Sequence, residues 1–364
     1  MKTSAGPRDV VRQMHAYTLA LRQTSIKLNQ NESPFDVPAS FKREVLDRVA
    51  RLPWNRYPEF EATRLRSALA TAYSLTPNSI LAGNGSNELL AAAISTFVEP
   101  GKRVAIPRPA FALYESLVAI AGGEVLGIDF DPHTGVLPLE RMIAAVERDG
   151  AEIVIVCSPN NPTGGVLPDD GIERLLATGA VVLFDRAYGD FHDDRLPSLN
   201  DRLVVFSTFS KAWGLAALRL GWLCSTGTTC REIRKVKLPY SLNVVSEEAA
   251  ILALENSSYR DTNVRTITAE RERVLAALSA IDGIEPFPTR ANFVTFRVED
   301  RQSCLSGQAG SSVLHIFESL VADDILIRDV SRYPNLSNCL RVSIGSPPEN
   351  DRFLNSLRRA MEAR

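Results

Sequence analysis

The sequence predicts an α/β protein, with a large domain whose mostly parallel sheet is covered by helices on both faces and a smaller α+β domain. Short apolar runs alternate with helical stretches between residues 79 and 225, which is typical of parallel strands buried on both faces. From about residue 256 the pattern changes to strand-like segments separated by helices, at 291–298, 325–331 and 339–345. At 364 residues the chain is long enough for two domains. We expect an N-terminal segment that packs with the small domain (1–50), a large domain (51–255) and a small C-terminal domain (256–364).

The individual elements follow from local patterns along the chain. A helix is predicted near residues 8–22, and the turn-rich stretch KLNQNESPFDVP at 27–38 predicts a loop. Apolar spacing in FEATRLRSALATAY at 60–73 predicts an amphipathic helix. Strands are then predicted at residues 79–82, 103–107, 124–130, 151–158, 180–185, 202–210 and 219–225. The helices predicted between them cover residues 87–97, 110–122, 138–150 and 171–179.

Composition and charge argue against several classes of function. The formal net charge is −2, so no overall positive field attracts nucleic acid or an acidic membrane surface. No run approaches the roughly 20 apolar residues of a membrane span, and the first residues lack the apolar core of a signal peptide. The five cysteines form no C-x-x-C pair and the four histidines are far apart, which predicts free thiols and no metal site. We expect a cytoplasmic protein.

Unusual polar and aromatic residues follow several of the predicted strands. In open α/β sheets, ligands bind beyond the carboxyl ends of the strands. The residues at these ends are Pro107–Phe111, Asn160–Gly165, Asp185–Tyr188 and Thr208–Lys211. We therefore expect a ligand site where these four sets meet.

Two charged side chains stand at the ends of buried strands. Asp185 closes VVLFD, and a carboxylate there is costly to desolvate unless a cation or several donors meet it. It is either the N-cap of the next helix or the counter-ion of a protonated ligand nitrogen, which Tyr188 could also reach. Lys211 lies between STFS and AWGLAAL. It is either a surface charge or a partly desolvated lysine with a lowered pKa, which can act as a nucleophilic amine.

Two segments carry groups that suit a phosphate. GNGSNE at 83–88 leads into a helix, so free backbone N–H groups, the positive end of the helix dipole and the Ser86 hydroxyl could seat one. Alone this signal is weak, because glycine-rich loops before helices are common. Thr208, Ser210 and Arg219 add two hydroxyls and a guanidinium, which match the acceptor oxygens of a phosphate.

The turn SPNNPTGG at 158–165 completes the set of chemical groups. Its prolines fix φ and its glycines permit positive φ, so the side-chain amide of Asn160 or Asn161 can be aimed at the strand ends; simple turn chemistry is the alternative. Together the groups match one ligand, with a phosphate, a ring nitrogen, a phenolic oxygen and an aldehyde. That ligand is pyridoxal phosphate, for which Asp185 would keep the ring protonated while Lys211 binds the aldehyde and shuttles protons.

The order of these motifs resembles a known family. NRYP, GNGSNE, SPNNPTG, FDRAY, STFSK, LRLGW and CLRVSIG look like the fold-type I aminotransferases of class I/II. KLNQNESPFDVP, NRYPEF, ILIRDVS and YPNLSNCLRVSIG are most similar to the histidinol-phosphate aminotransferase subfamily. The resemblance covers about residues 27–346. It implies a seven-stranded sheet sandwiched by helices, a homodimer with shared active sites, and amino transfer between L-histidinol phosphate and 2-oxoglutarate in histidine biosynthesis.

The resemblance also implies roles for individual residues. Lys211 is implied to be the Schiff-base lysine, and Asp185 to pair with the pyridine nitrogen. The other implied cofactor contacts are Tyr188 and Asn161 at the phenolic oxygen, Phe111 stacked on the ring, Gly85, Ser86, Asn87, Thr208, Ser210 and Arg219 around the phosphate, and Tyr57 reaching it from the neighbouring subunit. The implied substrate residues are Arg341 at the α-carboxylate, Arg328 at the substrate's own phosphate, and Asn161, Tyr240 and Asn243 along the pocket.

The chain departs from the family pattern at a few positions. Phe111 stands where tyrosine is usual, Asn87 where aspartate is common, Arg186 where an acidic residue is common and Ala217 where glycine is frequent. Because the lysine, the aspartate and the carboxylate arginine are intact, we expect catalysis. The substrate stays open, with an aromatic amino acid aminotransferase or a threonine-phosphate decarboxylase as the alternative. A non-catalytic ligand-sensing module is a third interpretation, although the residues before NRYP lack a basic helix-turn-helix pattern.

Overall fold

The computed structural model describes residues 6–14, 16, 22–192, 195–299 and 311–363. The helices are α1 (Asp9–Gln13), α2 (Ala39–Ala50), α3 (Thr63–Tyr73), α4 (Ser86–Phe97), α5 (Leu113–Ala121), α6 (Leu139–Glu147), α7 (Gly171–Ala177), α8 (Gly227–Val236), α9 (Val244–Glu255), α10 (Ser258–Ser279), α11 (Ser311–Ala322) and α12 (Pro347–Glu362). The strands are β1 (Ile26–Lys27), β2 (Ile80–Asn84), β3 (Arg103–Arg108), β4 (Glu124–Asp129), β5 (Ile153–Cys157), β6 (Val181–Asp185), β7 (Leu203–Thr208), β8 (Leu220–Cys224), β9 (Ile284–Pro286), β10 (Phe293–Val298), β11 (Ile325–Leu326), β12 (Arg328–Asp329) and β13 (Cys339–Ser343).

The large sheet has the strand order β2-β8-β7-β6-β5-β3-β4. The strands from β7 to β4 run parallel, whereas β8 is antiparallel to both β2 and β7. Every residue of β5, β7 and β8 is buried, as expected for strands covered on both faces. The predicted mostly parallel, seven-stranded sheet covered by helices is therefore confirmed.

The elements of this sheet begin and end within a few residues of the predicted bounds. The N-terminal region differs more. Of the helix predicted near 8–22, Asp9–Gln13 is helical, and residues 15 and 17–21 lie outside the described residues. Helix α2 was not predicted, although its buried residues Phe41, Val45 and Val49 recur every fourth position, which is the spacing of one helix face.

The C-terminal part of the chain forms a smaller antiparallel sheet with the order β12-β13-β10-β9. Helix α10 packs against β9, β10 and α12. The N-terminal segment meets this part through a short parallel pair, in which Ile26 of β1 lies opposite Ile325 of β11. Further along the same segment, α2 packs against α9 instead. The N-terminal segment therefore contacts elements on both sides of the predicted boundary at residue 256.

The arrangement of strands places several chemical groups at one edge. Cys157 of β5 lies beside Asp185 of β6 in the parallel register, and Thr208 ends the next strand, β7. From the smaller sheet, β13 contributes Arg341, whose Nη1 donates to Asn161 Oδ1 in the turn after β5. The carboxyl ends of the large sheet therefore meet the small sheet at a shared site.

Within the described part of the chain, no helix is both long and apolar enough to cross a membrane.

Candidate active site

A cavity of about 700 Å³ lies beyond the carboxyl ends of β5, β6 and β7. The N-terminal residues 29–32 and the small sheet also line it. It brings together many of the residues predicted from sequence, namely Ser86, Asn87, Phe111, Asn161, Asp185, Tyr188, Thr208, Ser210, Lys211, Arg219, Arg328 and Arg341. Residues from distant parts of the sequence thus converge on one concave site, as expected of a ligand site in this fold class.

Asp185 has a donor on each carboxylate oxygen. The Tyr114 hydroxyl donates to Oδ2 at 2.7 Å, and the backbone N–H of Ala187 donates to Oδ1 at 2.9 Å. The helical turn that follows begins only after Tyr188, so the alternative of Asp185 as an N-cap is wrong. Burial raises the pKa of Asp185, whereas the Tyr114 hydrogen bond, the Ala187 amide and the charge of Lys211 oppose that rise. The carboxylate is held in a buried position where a protonated ring nitrogen could meet it.

Lys211 lines the same cavity rather than the outer surface. Its Nζ donates to the backbone carbonyl of Gln30 at 2.9 Å and lies 5.9 Å from the centre of the Tyr188 ring. Burial, together with the neighbouring positive charge of Arg341, lowers the pKa of Lys211 to about 8. A fraction of the lysine is therefore a neutral amine near neutral pH, which is the form that attacks an aldehyde.

A cluster of donors lies where the phosphate was predicted. The Thr208 hydroxyl donates to Ser210 Oγ at 3.0 Å, and Arg219 Nη1 donates to the same oxygen at 3.3 Å. Gly85 precedes the first residue of α4 with φ +81°, and a Cβ added to it would lie 2.6 Å from Arg219 Nη2. The glycine loop, the start of α4 and the guanidinium therefore form one small cradle, which a side chain at position 85 would fill.

Two arginines project from neighbouring strands of the small sheet. Arg328 of β12 lies opposite Arg341 of β13 in the antiparallel register. Arg341 is buried, and its Nη1 and Nη2 donate to Asn161 Oδ1 and to the backbone carbonyl of Asn29. A buried arginine next to a second arginine can hold an anionic substrate group through charge-assisted hydrogen bonds.

Several contacts of the site were not predicted from sequence. Asn31 donates to the Tyr188 hydroxyl at 2.9 Å, while its own backbone N–H donates to Ser343 Oγ. Tyr114 and Gln30 contact Asp185 and Lys211 as described above. Asn31 lies in the stretch NQNESP, which the sequence indicated only as a loop and as part of the family resemblance. Tyr114 had no signal beyond its position three residues after Phe111.

Tyr57 and Tyr240 do not line the cavity in this chain. Their rings stack on each other with centres 4.7 Å apart, and Phe60 packs against Tyr240 at 5.2 Å. Tyr57 is 81% exposed and Tyr240 43% exposed. Tyr240 was expected along the substrate pocket, and the structure places it instead in this exposed aromatic cluster.

The departures from the family pattern have different surroundings. Phe111 faces the cavity and meets Tyr114 edge to face, with ring centres 5.6 Å apart. Asn87 and Ala217 also line the cavity. Arg186 is buried outside that lining, where a Cβ on Gly189 would lie 2.8 Å from its Nη2. The substitution at position 186 therefore changes the packing behind the site more than the cavity wall.

The sheet and the cavity define an α/β protein with a ligand site at the carboxyl ends of its parallel strands. The model of the family "Aminotransferase class I and II" matches residues 23–357, so the chain belongs to that family. The chain is 36% identical over 342 residues to the histidinol-phosphate aminotransferase of Chlorobaculum parvum, with 93% of each chain covered. It is 34% identical over 336 residues to the enzyme of that name from Caldanaerobacter subterraneus subsp. tengcongensis, with 91% of this chain and 92% of the relative covered.

Solved structures agree with this assignment. A histidinol-phosphate aminotransferase from Sinorhizobium meliloti, in complex with pyridoxal-5'-phosphate, superposes with a TM-score of 0.85 at 26% identity and covers 99% of each chain. L-threonine-O-3-phosphate decarboxylase from Porphyromonas gingivalis superposes with a TM-score of 0.79 at 22% identity, covering 93% of this chain and 99% of its own. The second similarity shows the fold alone. The predictions of an aminotransferase and of its fold are confirmed.

Proposed function

We propose that the protein is a pyridoxal-phosphate-dependent aminotransferase that moves the amino group between L-histidinol phosphate and 2-oxoglutarate in histidine biosynthesis. The observation that carries the proposal is the convergence of Asp185, Lys211 and the Thr208–Ser210–Arg219 cluster on one cavity. The histidinol-phosphate aminotransferases that resemble this chain over more than nine tenths of its length support the choice of substrate.

The residues of the cavity fit the proposed cofactor. A buried carboxylate, a lysine with a lowered pKa and a cluster of hydroxyl and guanidinium donors lie around the same space. The cradle at Gly85 leaves room for a group that a methyl side chain would exclude. We infer that Thr208, Ser210 and Arg219 hold the phosphate and that Asp185 meets the ring nitrogen.

The chain's own residues then divide the chemical work. When bound, pyridoxal phosphate supplies an electron sink that makes the Cα proton of the amino donor removable. Lys211 Nζ, whose pKa is lowered to about 8, would accept that Cα proton and deliver it to C4′ of the cofactor in the same half of the exchange. It would move a proton in the opposite direction when the oxo acid is aminated. Asp185 would stabilise the protonated ring nitrogen, and the hydrogen bond from Asn31 holds the Tyr188 hydroxyl, which would meet the phenolic oxygen of the cofactor.

The two neighbouring arginines suit two different substrates. L-Histidinol phosphate carries a phosphate and no carboxylate, whereas 2-oxoglutarate carries two carboxylates. We infer that Arg341 binds the α-carboxylate of the oxo acid and that Arg328, on the adjacent strand, binds the phosphate of the amino donor. One cavity can thus accept both partners in turn.

A panel of amino donors tests the substrate. Each donor is added without acceptor, and conversion of the bound cofactor is followed by absorbance. We expect L-histidinol phosphate to convert it far faster than phenylalanine or phosphothreonine. Equal conversion by phenylalanine would favour the aromatic aminotransferase, and release of CO₂ from phosphothreonine would favour the decarboxylase.

We further propose a homodimer with shared active sites in the cytoplasm. The dimer is supported by exposed apolar side chains, since exposed patches of this kind are typical of interfaces; they are Trp54, Leu238 and the contacting rings of Tyr57, Phe60 and Tyr240. Tyr57 would reach the cofactor phosphate of the neighbouring subunit. Mixing inactive Tyr57→Ala and Lys211→Ala proteins then restores activity, because each mixed dimer holds one complete site. Absence of any recovery after subunit exchange contradicts shared sites.

A further inference from the structure

Tyr114 is buried beneath the cavity, in the first turn of α5. It is 1% exposed, and its hydroxyl reaches the Asp185 Oδ2 atom at 2.7 Å. We propose that Tyr114 is a positioning residue for the reaction, and that its hydrogen bond holds the Asp185 carboxylate ionised and aimed at the ring nitrogen of the cofactor. This inference rests on the proposed function.

The geometry gives the carboxylate a defined orientation. Tyr114 binds one oxygen of Asp185, and the N–H of Ala187 binds the other at 2.9 Å. The Ala187 donor belongs to the same strand end as Asp185, whereas Tyr114 comes from a different element, 71 residues away in sequence. Tyr114 therefore connects the end of β6 with α5. If the Tyr114 hydroxyl is removed, the Ala187 N–H is the one of these two donors that still binds the carboxylate.

Tyr114 also connects Asp185 with the stacking residue. The Tyr114 N–H donates to the carbonyl of Phe111 at 3.1 Å, and the two rings meet edge to face with an interplanar angle of 86°. One short segment of chain thus contacts both Phe111 and Asp185, which line the cavity. A residue that only filled the core would need neither the hydroxyl nor this orientation.

The groups that face Asp185 allow the electrostatic effect to be assigned. They are Tyr114 from α5, the Ala187 amide, Lys211 after β7, Cys157 on the neighbouring strand and the more distant Tyr188. Burial raises the pKa of Asp185, and the Tyr114 hydrogen bond is the strongest influence that lowers it. The thiol of Cys157 stays neutral because burial raises its pKa well above the usual range. Without the Tyr114 hydroxyl, the Asp185 pKa therefore rises.

Tyr114→Phe tests the proposal, since it removes one oxygen and keeps the ring. Tyr73→Phe is the matched control, because Tyr73 packs on Trp222 outside the cavity. Infrared difference spectra of the apoprotein across pH follow the C=O band of the protonated acid, which Asp185→Asn identifies. We expect the band to appear at higher pH in Tyr114→Phe than in the wild type, and to be unmoved in the control.

Two further measurements separate positioning from a structural role. Loss of a hydrogen bond to a charged group, roughly 1.5–3 kcal/mol, predicts that Tyr114→Phe binds pyridoxal phosphate about 10- to 150-fold more weakly. We expect kcat to fall while the KM values of both substrates stay within about twofold, since no substrate contact is removed. Incorporation of 3-fluorotyrosine at position 114 makes a stronger donor in a folded protein and shifts the Asp185 band to lower pH.

Unchanged infrared titration in both Tyr114→Phe and the fluorotyrosine protein overturns the inference, as does wild-type cofactor affinity in Tyr114→Phe. If Tyr114→Phe does not fold, the fluorotyrosine protein provides the test. A shift of the Asp185 band to lower pH supports the inference, and a shift to higher pH or no shift overturns it. Failure of the proposed function looks different, because the wild-type protein itself then either binds no pyridoxal phosphate or leaves the bound cofactor unconverted by L-histidinol phosphate.

Discussion

Substitution of Gly85 by alanine tests the phosphate cradle with a magnitude that follows from the geometry. The new Cβ would lie 2.6 Å from Arg219 Nη2, so the guanidinium must move by about 1 Å to reach ordinary contact distance. That movement disrupts the 3.3 Å hydrogen bond from Arg219 to Ser210 and misplaces a charged donor. Loss of one such interaction, about 1.5–3 kcal/mol, corresponds to roughly 10- to 150-fold weaker cofactor binding.

Gly101→Ala is the matched control. Gly101 has φ +87°, close to the +81° of Gly85, but a Cβ there meets nothing within 4 Å. Both variants therefore carry backbone strain of about 1–3 kcal/mol, and thermal unfolding of the apoproteins measures it. Titration of each apoprotein with pyridoxal phosphate measures affinity. We expect weaker binding in Gly85→Ala alone. Equal affinity of the two variants would refute the placement of the phosphate beside Arg219.

The remaining predictions concern the two arginines and the lysine. Arg341→Lys keeps the charge but loses the planar pair of donors, so we expect kcat/KM for 2-oxoglutarate to fall by about 10- to 100-fold in steady-state assays. A kcat/KM near that of the wild type would contradict the role of Arg341 in binding the carboxylate. Arg328→Ala raises the KM for L-histidinol phosphate and leaves that for 2-oxoglutarate nearly unchanged, and equal effects on both substrates contradict the division between the arginines. The rate at which the apoprotein combines with pyridoxal phosphate rises with pH through about 8 and then levels, because Lys211 reacts as the neutral amine and its pKa is lowered to about 8. Stopped-flow absorbance measures this rate, and a rate that does not change with pH would contradict the prediction. Arg341→Gln moves that midpoint to higher pH, since it removes a positive charge that lowers the Lys211 pKa.

The parts of the site that sequence could predict are those in which the chemistry is local. Thr208, Ser210 and Lys211 lie within one short stretch after a strand, and Asp185 closes an apolar run that offers it no partner. The alternation of strands and helices between residues 79 and 225 also predicted that the residues after the parallel strands would lie at one edge of the sheet. These predictions needed only spacing and the cost of burying a charge.

The contacts that sequence could not predict join distant segments. Tyr114 and Asp185 are 71 residues apart, Asn31 and Tyr188 are 157 apart, and Gln30 and Lys211 are 181 apart. A backbone carbonyl such as that of Gln30 also leaves no trace in residue type, since every residue carries one. The sequence could not place Tyr240 outside the cavity of its own chain for a related reason, because the path of the chain after α8 is set by packing rather than by local pattern.

The central claim is that Lys211 binds pyridoxal phosphate covalently and that the amino group of L-histidinol phosphate displaces Lys211 from it. Borohydride reduction of the purified holoprotein, followed by peptide mass spectrometry, tests it most directly. We expect a cofactor-derived mass on the peptide that contains Lys211, and its loss when excess L-histidinol phosphate is added first without an oxo acid. Label on a different lysine, or label on Lys211 that L-histidinol phosphate leaves undiminished, would contradict the account.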